Sequence, residues 1–216
     1  MKTFIGLSFL LLSTIGYAEV TVYAIDIPGL HQNDGQGEYD QIIEKAVVSS
    51  GLAKLEVQPP ARAEDSFASC TNCCFTPANK NPDFYDFGDD IVQTTPMNTA
   101  KIYIFTNEGQ PTLNNVDDLK GKSVGIRKGM PYGNTFDAAG LNTSTVTTIE
   151  ANIKKLQAGR IDAFVAYVPD VYAAFEGLGM KPLPHDADNP IAIHEDSLVC
   201  KGVSSDFVSK FNSAIQ

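Results

Sequence analysis

Leu156-Gln157-Ala158-Gly159-Arg160-Ile161-Asp162-Ala163-Phe164-Val165-Ala166 changes character at its fourth residue. The chain up to Ala158 suits a helix, Gly159 sits where a left-handed residue ends one, and Ile161 to Ala166 is a β-rich apolar run. Upstream, Thr147 and Glu150 have capping-box spacing at the start of that helix, and Ser144 to Thr148 reads as the strand before it. Further upstream come a helix from Pro131 to Ala139 and a strand from Ser123 to Arg127; downstream, a helix runs from Pro169 to Glu176. Pro131 and Pro169 suit first-turn positions. Strands alternating with helices at this spacing predict parallel α/β architecture.

The rest of the chain fits the same class. Val20 to Ile25 is a β-rich run, followed by a loop holding Pro28, Gly29, Gly35 and Gly37. Tyr39, Ile42, Ile43, Ala46 and Val47 form one apolar helical stripe that stops at Ser49-Ser50-Gly51. Leu52 to Val57 and Ala100 to Thr106 read as strands, the latter closed by Asn107-Glu108-Gly109. Phe207, Val208, Phe211 and Ile215 recur at helical spacing in the final segment, Asp206 to Ile215. Residues 59–98, rich in Pro, Asn and Asp, offer only a short strand through Cys73 to Thr76 and the aromatics Phe84, Tyr85 and Phe87.

With 43% hydrophobic residues in 216 and no internal period, the chain can bury a core in one or two lobes. Its 26 acidic against 16 basic residues repel phosphate backbones, so no nucleic-acid partner is expected. Residues 1–18 read as an export signal: Lys2 as n-region, Phe4 to Ile15 as h-region, and Gly16-Tyr17-Ala18 as cleavage site. Cleavage leaves Glu19 first and moves the formal charge from −10 to −11 by removing Lys2. A soluble periplasmic protein is expected, because no later run is apolar enough for long enough to span a bilayer. In an oxidising compartment Cys70, Cys73, Cys74 and Cys200 favour disulfides over a zinc site, which would want a second pair or a His nearby. Of three connectivities, the one joining adjacent Cys73 and Cys74 is strained; the other two stay open.

Catalytic motifs fail on inspection. Gly121-Lys122-Ser123 lacks the leading glycine of a phosphate loop, Val116 standing there, and reads as a turn before a strand. His194-Glu195 meets Leu198 where a zinc helix needs its second His, and there is no Gly-x-Ser-x-Gly elbow. His185-Asp186-Ala187-Asp188 reads as a solvated loop rather than a metal site. His31 either faces a cleft or is a surface histidine. No metal, cofactor or catalytic residue is expected.

Three stretches together resemble the type II periplasmic solute-binding proteins of the amino-acid-uptake family. They are Gly37-Glu38-Tyr39-Asp40, the run from Val116-Asp117-Asp118-Leu119-Lys120 through Gly121-Lys122-Ser123-Val124-Gly125, and the opening stretch from Leu156 to Ala166. The resemblance implies an α/β fold of two lobes joined by two crossover strands, closing on a small ligand by hinge motion. By that analogy lobe one is 19–99 with 200–216, lobe two is 107–194, and the crossovers are 100–106 and 195–199. It also sets the return strand beside lobe one's third strand. This implies a long bridge from Cys200 to Cys73 or Cys74, with Cys70 taking the other.

Departures from the family pattern bear on the ligand. Amino-acid-binding members carry an Arg closely following a Thr-Pro pair; here Thr76-Pro77-Ala78 leads to Asn79. The Asp that grips an ammonium at the end of the Ile-Asp-Ala strand is matched by Tyr167. Met130 replaces a small hydroxyl residue, and Leu30 or His31 a stacking aromatic. With Cys74, Thr76 and Tyr132 these form the ligand-binding set the resemblance implies. Lacking both charged grips, the cleft is expected to prefer a neutral or weakly charged polar solute to a free α-amino acid, unless Lys80 or Arg127 supplies the charge by a register shift. The expected role is monomeric delivery of that solute to an ABC-type membrane permease. The alternatives are a receptor reporting to a membrane sensor, and a cyclohexadienyl-dehydratase-like enzyme using His31 or Glu38.

Overall fold

The computed structural model describes residues 19–215. The export signal expected at 1–18 lies outside them. The strands are β1 (Val20–Ile25), β2 (Ala53–Gln58), β3 (Cys73–Ala78), β4 (Val92–Gln93), β5 (Asn98–Thr106), β6 (Ser123–Arg127), β7 (Asn142–Val146), β8 (Ala163–Val168) and β9 (Ala192–Lys201). The helices are α1 (Glu38–Ile43, continued by a π-helical stretch Glu44–Val48), α2 (Pro60–Ser69), α3 (Asn134–Asp137), α4 (Ile149–Gln157), α5 (Asp170–Gly177) and α6 (Ser205–Ile215). Among the described residues no helix is long and apolar enough to cross a membrane.

The nine strands form one sheet in the order β2-β1-β3-β9-β5-β8-β6-β7, with β4 beside β9. β2, β1 and β3 are parallel, as are β8, β6 and β7. The middle differs from a purely parallel sheet: β9 runs antiparallel to β3 and β5, and β5 antiparallel to β8. These two long strands carry the chain between the parallel halves. β9 pairs with β5 through Asp196 and with β3 from Ser197 onward, so one continuous strand serves both.

Each half is a sheet covered on both faces, which is why β8 reads as an unbroken apolar run. α4 and α5 pack Ile149, Ile153, Leu156, Val171 and Phe175 against Phe105 and Phe164, while Val124, Tyr132, Phe136 and Val165 fill the opposite face. In the first half, α1 and α6 cover Val20, Val22 and Cys74 with Ile43, Val47, Phe207 and Phe211. α2 covers the other face, where Ala63 and Phe67 meet Cys73 and Phe75.

That alternation along β3 decides the disulfides, because successive side chains of a strand face opposite ways. Cys73 points to the α2 face and bonds Cys70 at the helix end, with Cα atoms 6.3 Å apart. Cys74 points to the α6 face, directly opposite Cys200 in the register, with Cα atoms 4.0 Å apart. Of the two expected pairings, this is the one with Cys200 on Cys74.

Boundaries shift where capping competes with strand pattern. Thr148, not Thr147, is the N-cap of α4, its hydroxyl accepting from the Ala151 N–H at 3.2 Å. β7 therefore ends at Val146, two residues earlier than read, and β8 runs two residues later, to Val168. The helix expected from Pro131 shrinks to Asn134–Asp137, because Gly133 has φ 93°, outside helical space. Pro169 is an N-cap rather than a first-turn residue. Gly159, at φ 64°, ends α4 as read.

Candidate functional site

The halves meet along a line of close approaches. Arg127 Nη2 on β6 donates to the Asp26 carbonyl beyond β1 at 2.6 Å, and the Asn134 N–H donates to the Asp83 carbonyl at 2.9 Å. A Cβ on Gly129 would lie 2.7 Å from the Ala61 nitrogen, so only glycine permits this approach. Two narrow cavities of about 10 Å³ each adjoin this seam and share Met130, Tyr167 and Asp170; the first is lined wholly by the second half, and the other by both halves. Arg127, Tyr132 and Asn152 complete the polar wall of the first; Leu30, Pro77, Tyr85, His194 and Asp196 line the second.

On one wall the carboxylates are satisfied, although His31 Nε2 and His194 Nε2 have no partner. Asp40 Oδ1 meets His31 Nδ1 at 2.7 Å, while Oδ2 accepts from the N–H groups of Gln32 at 2.8 Å and Gly37 at 3.1 Å. This folds the β1–α1 loop back on its helix. Asp196 meets His194 Nδ1 at 2.7 Å and accepts from the Tyr39 hydroxyl at 2.7 Å. Burial and the Asp196 carboxylate push the Tyr39 hydroxyl well up, so it stays a donor. His194 is ringed edge-on by Phe84, Tyr85 and Tyr167.

The opposite wall is open. Arg127 donates from Nε to the Thr147 carbonyl and from Nη2 to Asp26, but Nη1 has no partner, and no ion pair among the described residues includes it. Asp170 Oδ1 and Asn152 Oδ1 also lack partners, as does His194 Nε2 in the neighbouring cavity. Asp170 is only 3% exposed. Burial first, then the Asp196 charge, holds its carboxyl well above the usual carboxylate range, against a smaller pull from its own N–H and Arg127. Unsatisfied buried polar atoms are rare; of the six among the described residues, these four line the two cavities, and His31 Nε2 and Thr76 Oγ1 are the others.

The structure brings only some of the residues singled out from the sequence to the cavities. Leu30, Met130, Tyr132 and Tyr167 line the cavities; the Tyr167 hydroxyl donates to the Pro131 carbonyl, and the Tyr132 hydroxyl accepts from the Arg127 N–H at 2.9 Å. His31 is neither cleft-facing nor on the surface, being fully buried against Asp40 and Tyr39. Thr76 is buried with Oγ1 unpartnered, beside the cavity-lining Pro77, and Asn79 is tied to the backbone of Glu195 and Asn81. Cys74 is locked in its disulfide under α6. Glu38 opens α1 and contributes nothing to either cavity.

Asp170, Asn152, His194 and Asp196 were not singled out as ligand contacts. A signal existed for the last two: on a strand, positions two apart share a face, and two polar residues there within an apolar element ask for a buried partner.

No family model matches the chain, and no curated protein does. Solved structures do. The GluR0 ligand-binding core from Nostoc punctiforme, in complex with L-glutamate, superposes with a TM-score of 0.71 at 18% identity, covering 91% of each chain. A variant of ArgBP from T. maritima, arginine-bound, gives 0.70 at 13%, covering 91% of this chain and 94% of that one. The substrate-binding protein of an amino acid ABC transporter gives 0.68 at 15%, covering 92% of each. At these identities the likeness fixes the fold: the two-lobe type II periplasmic-binding-protein architecture with two crossover strands.

Proposed function

We propose that this chain is an exported solute-binding protein that holds a small polar molecule between its lobes and hands it to an ABC-type membrane permease. The observation that carries it is that the unpartnered Arg127, Asn152, Asp170 and His194 atoms line two adjoining cavities that share Asp170, one of them bounded by both halves. Occupied by arginine or glutamate, the similar structures support a small polar guest here. The lobes we take are 19–99 with 200–216, and 107–194, hinged at 100–106 and 195–199; the change of partner along β9 at Asp196 and Ser197 supports a hinge there. A native mass spectrum of the protein from its own periplasm tests the reading. A single small molecule bound one to one is expected, on a chain beginning at Glu19. A chain that carries none, and shows no change in radius of gyration with any periplasmic extract, contradicts it.

A receptor for a membrane sensor would use the same cleft, and is separated by which membrane protein the loaded form captures. Acid–base catalysis is a second reading with one observation in its favour: the His194–Asp196 pair leaves Nε2 free in the cavity that also holds Asp170. It requires the captured molecule to be consumed on incubation. Recovery of the molecule unchanged excludes it.

A further inference from the structure

Three carboxyl groups stand at or behind the cleft, and two are already used. Asp40 accepts from His31, Gln32 and Gly37, and Asp196 from Tyr39 with His194 on its other oxygen. The third, Asp170, shares its cavity with Met130, Phe164, Val165 and Ala166, an apolar setting that favours the neutral acid. Against these stands one guanidinium, 7% exposed, with Nη1 directed at no protein acceptor. Among the residues that line the two cavities, Arg127 is thus the uncommitted cation, while both oxygens of Asp196 are committed. A zwitterion would leave its ammonium without a counter-charge, whereas an anion bearing a further oxygen answers Arg127 Nη1 and a protonated Asp170, and where that oxygen is a hydroxyl it also brings a donor for an acceptor such as Asn152 Oδ1.

We infer that the guest is a small carboxylic acid bearing a hydroxyl or oxo group in place of an ammonium, its carboxylate held by Arg127 Nη1 and its second oxygen by Asp170, with His194 Nε2 accepting the O–H where that oxygen is a hydroxyl. This deepens the solute-binding reading and rests on it. Arg127 holds the guest from the second half while its Nη2 grips Asp26 in the first, so the group that binds the carboxylate also ties the closed form together. Asp170 acts as a neutral O–H donor, a role an amide can reproduce.

The test is a thermal-shift and calorimetric panel at pH 7 in matched sets: lactate, pyruvate and alanine; 2-hydroxyglutarate, 2-oxoglutarate and glutamate; phenyllactate, phenylpyruvate and phenylalanine. In at least one set the hydroxy or oxo acid should raise Tm by roughly 5–10 °C at a hundred times its Kd, and bind at least tenfold tighter than the amino acid. Arg127→Gln should abolish that shift and Arg127→Lys, which keeps charge and loses the fork, should weaken Kd about tenfold or more. Asp170→Ala should weaken binding about tenfold, and Asp170→Asn should recover most of it. An amino acid giving the largest shift, with Asp170→Asn as damaging as Asp170→Ala, overturns the inference by making Asp170 an ammonium grip; solute binding then stands. No shift from any set also overturns it, and the native mass spectrum decides separately whether the cleft holds a solute at all.

Discussion

Both walls of the cleft bury charged groups, and the two walls treat them in opposite ways. On the wall formed by the β1–α1 loop and β9, every carboxylate oxygen of Asp40 and Asp196 has a partner within the protein. On the wall formed by β6, α4 and the start of α5, Arg127, Asn152 and Asp170 each leave an atom unpaired. A satisfied buried network stabilises and rigidifies, while an unsatisfied one costs roughly 1–3 kcal/mol per group until something fills it. Both walls keep unpaired atoms, but the carboxylates of the first are satisfied scaffold, whereas the charged groups of the second, Arg127 and Asp170, each leave an atom open.

Perturbing the scaffold should therefore cost stability. The largest effect belongs to the Cys74–Cys200 bridge, which spans 126 residues and ties β3 to the returning strand. Replacing both by Ala should lower stability by about 4–5 kcal/mol on the chain-entropy view, read as a fall in the denaturant midpoint. A loss below about 1 kcal/mol would show that the first half does not depend on it. Next is Asp196→Ala, which strands His194 Nδ1 and the Tyr39 hydroxyl in the core and should cost roughly 3–4 kcal/mol in urea unfolding. Tyr39→Phe, removing one donor, should cost less, about 1–2 kcal/mol.

On the open wall the sign reverses. Asp170 has its folded carboxyl raised, so between the unfolded and folded pKa the unfolded chain binds fewer protons and stability falls as pH rises. Its full contribution is present below about pH 4 and is lost toward the raised folded value. Asp170→Asn should then raise the ligand-free Tm at pH 7 by a few degrees, with the difference from the parent chain vanishing at pH 4. Arg127 and Asp196 are the charges that act on this carboxyl, and neither changes in the variant. An Asn variant less stable than the parent at pH 7 would make Asp170 part of the scaffold.

The fold was legible because its signals are local. Ser123 to Arg127, Gly159 and the Phe207-Phe211-Ile215 stripe each announce their element within a few residues, and each is found in place. α2 escaped notice, although Pro60, Ala63 and Phe67 sit at helical spacing behind an N-terminal proline, because Asn and Asp downstream blurred the region. The site was less legible for a different reason. Asp170 looks like any acidic first-turn residue of a helix, and only closure of the halves buries it. Arg127 ends a strand and gains its meaning from Asp26, a hundred residues away in the other half. Leu30, Met130, Tyr132 and Tyr167 were reachable because a family pattern marks their positions, while the unpaired atoms beside them are created by tertiary structure alone.

The most direct test is an experimental electron-density map of the protein crystallised as purified from its native source, without unfolding. Density for a non-water molecule within hydrogen-bond distance of both Arg127 Nη1 and Asp170 Oδ1, with Asp196 still held by Tyr39 and His194, is the expected result. Arg127 and Asp170 paired with each other across a closed, empty seam would contradict it, because the second wall would then be scaffold like the first.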